Sequence, residues 1–132
     1  MTALYVDSSA LCKLVAQEEH TAAMHRLWTT HDGDLVSSDL ARTEVMRQAG
    51  RCDPPRSTEA RAVLDALVLV PVLTRIAQGA GTLGPPSLRS LDALHLMTAL
   101  ELGDDLAGVV TYDDRQAEAA RHLGLPVVTP RS

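Results

Sequence analysis

Short apolar runs and helical patterns take turns along this chain, and that alternation restricts it to a small set of folds. Ala3-Leu4-Tyr5-Val6 is a continuous apolar run closed by Asp7. A run of that kind is expected of a strand buried on both faces. Ser8-Ser9 can cap a helix over 10–16 with Leu11, Leu14 and Val15 on one stripe, and a second helix over 21–30 carries Met24, Leu27 and Trp28. That stripe is most simply core; an excess in it would make a groove for a partner's helix. A short strand over 35–37 leads to a helix over 40–49, capped by Ser38 or Asp39 and ended by Gly50. After the Pro54-Pro55 break, a helix starts at Ser57, and a strand over 68–72 is placed near an edge because Pro71 cannot donate to a ladder. A helix over 74–80, a Gly/Pro-rich loop over 81–87 and a strong helix over 88–102 follow, with Gly103 as its stop. The chain closes with a strand over 108–112, a helix over 114–123 and a strand over 126–128. Strands that alternate with helices imply right-handed crossovers and a parallel sheet covered on both faces. At 132 residues, without repeats or long linkers, the expectation is one α/β domain over 1–132, with a central parallel sheet of four to five strands.

Composition then narrows the function. The net charge of −5 argues against sequence-independent duplex binding, which needs a basic face. Tyr5, Trp28 and Tyr112 are the only aromatic residues, so stacking of bases on aromatic platforms is not the expected mode of nucleic-acid recognition. Neither exclusion covers an acidic site that binds a divalent ion, because the ion inverts the local charge. Cys12 and Cys52 lack metal-type spacing and read as reduced thiols of a cytoplasmic protein. No signal peptide is visible, and the apolar stretch over 66–73 is too short to span a bilayer.

In an open parallel sheet, ligands bind outside the carboxyl ends of the strands. Asp7 and Asp113 close two different strands and so fall on the same edge. Asp92 opens the most apolar helix of the chain, where a lone ionised carboxylate would be costly to desolvate. Glu44 borders the buried side of a helix that leaves that same edge. Acids gathered at one spot raise each other's pKa, which makes little sense as scaffolding and good sense around a hard cation. Magnesium takes oxygen ligands and keeps several waters, so one or two direct carboxylates suffice, and a water it activates can attack phosphorus.

The same residues carry a resemblance. Val6-Asp7-Ser8-Ser9-Ala10, Leu40-Ala41-Arg42-Thr43-Glu44-Val45, Leu91-Asp92-Ala93-Leu94-His95-Leu96 and Thr111-Tyr112-Asp113-Asp114-Arg115 resemble, in order, the four acid motifs of PIN-domain nucleases. The ordered set spans essentially the whole chain, and the length resembles the VapC toxins of prokaryotic toxin–antitoxin pairs. The resemblance implies a three-layer α/β/α fold and an endoribonuclease that depends on Mg²⁺ or Mn²⁺. It also implies a homodimer held silent by a VapB-like antitoxin. It assigns Asp7, Glu44, Asp92 and Asp113 to the metal and to catalysis.

Each residue also has a plainer role. Asp7 is placed to cap a helix, Glu44 to pair with Arg42 or Arg47, and Asp92 to meet a helix dipole. Asp113 stands three before Gln116, as in a capping box, and Asp114 is the alternative fourth acid. The hydroxyls of Ser8 and Thr111 are candidates to contact substrate, or to orient a carboxylate or water. Arg115 is a candidate phosphate contact. His95, one turn after Asp92, is expected to be a satisfied core histidine. Two other readings compete with the toxin: a PIN-like module that has lost catalysis and only binds, and a nuclease that processes structured nucleic acid. The intact acid set disfavours the first, and the lack of room for duplex-holding elements disfavours the second. A phosphatase of the Asp-x-Asp kind lacks its second acid at Asp7-Ser8-Ser9.

Overall fold

The computed structural model describes residues 2–132. Its centre is a five-stranded, all-parallel sheet of β1 (Ala3–Val6), β2 (Leu35–Ser38), β3 (Val68–Val70), β4 (Leu106–Val110) and β5 (Val127–Val128), in the order β3-β2-β1-β4-β5. Parallel neighbours need crossovers, and helices supply them. They are α1 (Ser8–Val15) and α2 (Thr21–Thr30), α3 (Leu40–Arg51) and α4 (Ser57–Asp65), α5 (Thr74–Gly81) and α6 (Ser90–Leu100), and α7 (Asp114–His122).

The side-chain alternation of β1 shows how the layers form. Leu4 and Val6 pack with Leu11, Leu14, Val15, Met24, Val45 and Leu64 from the α1–α4 layer. Ala3 and Tyr5 point the other way and pack with Val36, Ala99 and Val109. Leu96 of α6 then packs on Ala119 and Ala120 of α7, completing the opposite layer. The result is three layers, α/β/α. The first two crossovers carry the chain one way from β1 through β2 to β3, and the return through α5 and α6 places β4 on β1's other side. Strand order therefore reverses between β1 and β4, which is where open α/β sheets form a ligand crevice.

Several boundaries differ from those read in the sequence. Asp7, not Ser8 or Ser9, caps α1, accepting from the Ala10 N–H in extended backbone geometry. Neither Ser38 nor Asp39 makes a full cap for α3; Ser38 Oγ accepts from Leu40 N and Asp39 is already helical. Gly50 lies inside α3 rather than ending it. Strand β4 begins at Leu106, because Ala3 of β1 pairs with that residue, and ends at Val110, leaving Thr111 and Tyr112 in the connection to α7. Leu11, Leu14 and Val15 are core residues packed under α3 and α4, so they offer no surface for a partner's helix. Among the described residues, the large apolar ones left exposed are Val68, Val72, Leu73 and Leu91. Pro71 follows β3, which is an edge strand as its position predicted. Cys12 and Cys52 are both free thiols. Among the described residues no helix is long and apolar enough to cross a membrane.

Candidate active site

Asp7 sits at the reversal point, immediately after β1 and hydrogen-bonded through its N–H to Val110 of β4. Its carboxylate is buried and held by three donors. Ser9 Oγ reaches Oδ1 at 2.6 Å, the Ala10 N–H reaches the same oxygen at 3.1 Å, and the Thr111 hydroxyl donates to Oδ2. Burial raises the carboxyl above its ordinary value, and the donated hydrogen bonds and the nearby His95 only partly offset this. Ser9 Oγ also accepts the Tyr112 N–H at 2.9 Å, so one hydroxyl ties the end of β1 to the segment after β4.

Glu44 reaches the site from the second turn of α3. Its Oε1 receives Ser8 Oγ at 2.7 Å and His95 Nε2 at 2.7 Å. Half-burial works against its charge, but those two hydrogen bonds and the His95 ring outweigh it and hold the carboxyl below its usual range. His95 is buried, and its other nitrogen, Nδ1, lies 2.6 Å from the Tyr5 hydroxyl.

Asp92 occupies the first turn of α6 and is partly buried, with no hydrogen-bond donor among the described residues. Burial raises its carboxyl, and the negative charges of Asp113 and Glu44 raise it further, against relief from His95 and Arg89. Asp113 caps α7 by accepting from the Arg115 and Gln116 N–H groups at 2.9 and 3.3 Å, both on Oδ1. Asp114 is exposed in the first turn of that helix. The plain and the functional roles of Asp113 thus coexist: one oxygen caps, and the charge is felt at Asp92.

Asp7 and Asp113 follow the carboxyl ends of β1 and β4, the charges of Asp113 and Glu44 raise the Asp92 carboxyl, and His95 acts on Asp7, Glu44 and Asp92 alike. Among the described residues, however, no three of His, Cys, Asp and Glu close on one point as metal ligands. Glu44 Oε2, Asp113 Oδ2 and both oxygens of Asp92 accept no hydrogen bond among the described residues. These are hard oxygen donors, and at Asp92 burial and the neighbouring acids raise the carboxyl despite His95 and Arg89. That donor chemistry suits a divalent cation held by one or two carboxylates directly and by the others through water.

The remaining candidates fall into place around them. Ser8 and Thr111 spend their hydroxyls on Glu44 and Asp7, and Thr111 is fully buried, so both orient carboxylates and Thr111 has no surface for substrate. Arg115 is exposed and lines a cavity of about 730 Å³ between the 85–89 loop and α7, together with Arg89, Ser87, Asp92, Asp114 and Glu118. Arg89, Ser9 and Tyr5 were not singled out from the sequence. Tyr5 did carry a signal: a hydroxyl in a strand buried on both faces must find a partner.

The PIN-domain family model matches residues 4–122, which includes all four acids. The chain is 45% identical to ribonuclease VapC46 of Mycobacterium tuberculosis, an alignment that covers 98% of this chain and 99% of that protein. Among solved structures, a toxin–antitoxin complex from Klebsiella pneumoniae superposes with a TM-score of 0.73 at 22% identity, covering 98% of both chains. The M. tuberculosis toxin VapC20, described as cleaving the sarcin–ricin loop, superposes with a TM-score of 0.70 at 15% identity, over 88% of this chain and 94% of that one. Family model, sequence relative and fold agree: this chain belongs to the PIN-domain family, in its VapC branch.

Proposed function

We propose that the protein is a divalent-metal-dependent endoribonuclease and the toxin of a toxin–antitoxin pair, with Asp7, Glu44, Asp92 and Asp113 as its metal and catalytic acids. The observation that carries this is the state of Asp92. A partly buried carboxyl faces two further negative charges without a donor of its own, at the strand-order reversal where α/β folds bind ligands. Repulsion of that kind is relieved by a cation. The relative named as a ribonuclease, aligned over nearly the full length of both chains, points to RNA as the substrate.

Mg²⁺ or Mn²⁺, when bound, would activate a water and stabilise charge on the leaving oxygen. The chain's own groups do the rest. Glu44, Asp92 and Asp113 would hold the ion through their free oxygens, and Asp7, gripped by Ser9 and Thr111, would hold it directly or through one of its waters. Arg89 and Arg115 line the adjoining cavity, which supports them as contacts for the substrate's phosphates. The open cavity and the shortage of aromatics favour an exposed, looped or single-stranded RNA over a rigid duplex. The partner would be a VapB-like antitoxin on a homodimeric toxin in the cytoplasm. Fold neighbours in complex with such partners support that reading.

Cleavage of loop-containing RNA by metal-replete protein is the direct test. Asp92→Asn, which keeps size and polarity, should lower the rate by at least two orders of magnitude while the circular dichroism spectrum stays the same. Cleavage that persists in excess EDTA, or an Asp92→Asn protein as active as the parent, would overturn the mechanism.

A further inference from the structure

We propose that Tyr5 and His95 are a positioning pair that fixes the Glu44 carboxylate from inside the core, and thereby sets the protein's affinity for its metal. This rests on the metal-site reading above. The geometry is a continuous line through three elements. The Tyr5 hydroxyl, on β1, is 2.6 Å from His95 Nδ1 on α6, and His95 Nε2 is 2.7 Å from Glu44 Oε1 on α3. Tyr5 is fully buried and the His95 side chain is 4% exposed, whereas the Glu44 side chain is 29% exposed. The line therefore runs from the middle of the sheet to the edge of the acid pocket.

An ionised carboxylate only accepts, so Nε2 must carry a hydrogen. Nδ1 and the Tyr5 hydroxyl, which burial holds firmly protonated, share the second hydrogen bond: the hydroxyl donates to a neutral ring and accepts from a charged one. Both ends of the imidazole are fixed, so the ring cannot flip without breaking two short bonds. Ser8 Oγ adds a second donor to the same Oε1. Oε1 is thus doubly held, and Oε2 accepts nothing among the described residues. A glutamate on a helix surface has several rotatable bonds and wanders; this one is pinned by groups that do not move. Mutual satisfaction of two buried polar residues needs only Tyr5 and His95. It does not require the third member, which reaches solvent and is a site acid. Partners that orient a ligand in this way commonly affect metal affinity or activity by about 10- to 100-fold.

The experiment measures Mn²⁺ affinity of the intact protein by calorimetry, without RNA, for the parent, Tyr5→Phe, His95→Gln, His95→Leu and Glu44→Gln. His95→Leu should weaken Mn²⁺ binding by about 10-fold or more. Tyr5→Phe, which leaves the ring unanchored, should weaken it several-fold. His95→Gln keeps an N–H donor of similar reach and should recover part of the loss. In protein that already carries Glu44→Gln, His95→Leu should cause no further loss, because the histidine acts through that carboxylate. With RNA, Tyr5→Phe and His95→Gln should lower kcat and leave KM nearly unchanged. Equal weakening by His95→Leu with and without Glu44→Gln would overturn the proposal. So would Tyr5→Phe and His95→Gln proteins that melt earlier but bind Mn²⁺ like the parent, a result that assigns the pair to the core alone. The two milder variants keep the test decisive if His95→Leu does not fold. A parent that binds no Mn²⁺ overturns the metal site itself, and this role with it.

Discussion

Burial raises the Asp7 and Asp92 carboxyls above their ordinary values, and at Asp92 the charges of Asp113 and Glu44 raise it further. A carboxyl raised in the folded state makes its stabilising contribution below the unfolded value and loses it as pH rises through the folded value. Glu44, held low, behaves oppositely: its contribution exists above the unfolded value and is lost as pH falls through the folded one. In metal-free protein, Asp92→Asn should therefore raise Tm at pH 7, and the gain should vanish near and below the ordinary aspartate value of about 3.9. Added Mg²⁺ or Mn²⁺ should raise Tm in the parent and do so much less in Asp92→Asn, by mass action. Scanning calorimetry of the two proteins across pH checks both statements. At this scale the sequence was readable where a residue violated its surroundings, as Asp92 does in an apolar helix. It was opaque where a residue suited them. Tyr5 and His95 passed for core residues because they are core residues, and their connection to Glu44 spans 90 and 51 positions that no local pattern links.

Element boundaries were less legible than element types, for a physical reason visible in α3 and β4. Gly50 carries the usual mark of a helix end, yet α3 runs through it to Arg51. A Cβ added at Gly50 would meet nothing within 4 Å. Gly50→Ala should accordingly stabilise the protein by about 0.5–1 kcal/mol, seen as a higher urea midpoint. Gly33 is the opposite case. A Cβ there would fall 1.8 Å from the Thr2 carbonyl oxygen, where backbone has to shift. Gly33→Ala should cost about 1–3 kcal/mol in the same measurement. Strand β4 was misplaced by two residues because its limits are set by its partner: Ala3 recruits Leu106, and Val110 is the last residue that pairs with β1. That shift takes Thr111 out of the strand, leaving its hydroxyl to donate to Asp7.

Over the whole molecule, the layers were legible because hydrophobic period and turn residues repeat that message in every segment. The net charge of −5 has its own consequence for RNA. Arg89 and Arg115 are the basic groups of the cavity beside Asp92, so few phosphates are neutralised on binding. Affinity of cleavage-deficient Asp92→Asn protein for a single-stranded RNA should fall with salt at a log–log slope of about −1.4, as two contacts predict, and Arg89→Ala should remove about 0.7 of it. A slope several times steeper would reveal a broad basic surface that the charge distribution does not provide. The strand order also ties activity to synthesis. Central strand β1 is made before its second neighbour, β4, which lies about a hundred residues later, and Thr111 and Asp113 follow that. A nascent chain paused between residues 92 and 106 has Asp7, Glu44 and Asp92 but lacks the strand that flanks Asp7 and the hydroxyl that holds it. The four acids and the hydroxyl that holds Asp7 therefore come together only after β4 has been made, and a partner able to bind earlier would meet an incomplete set.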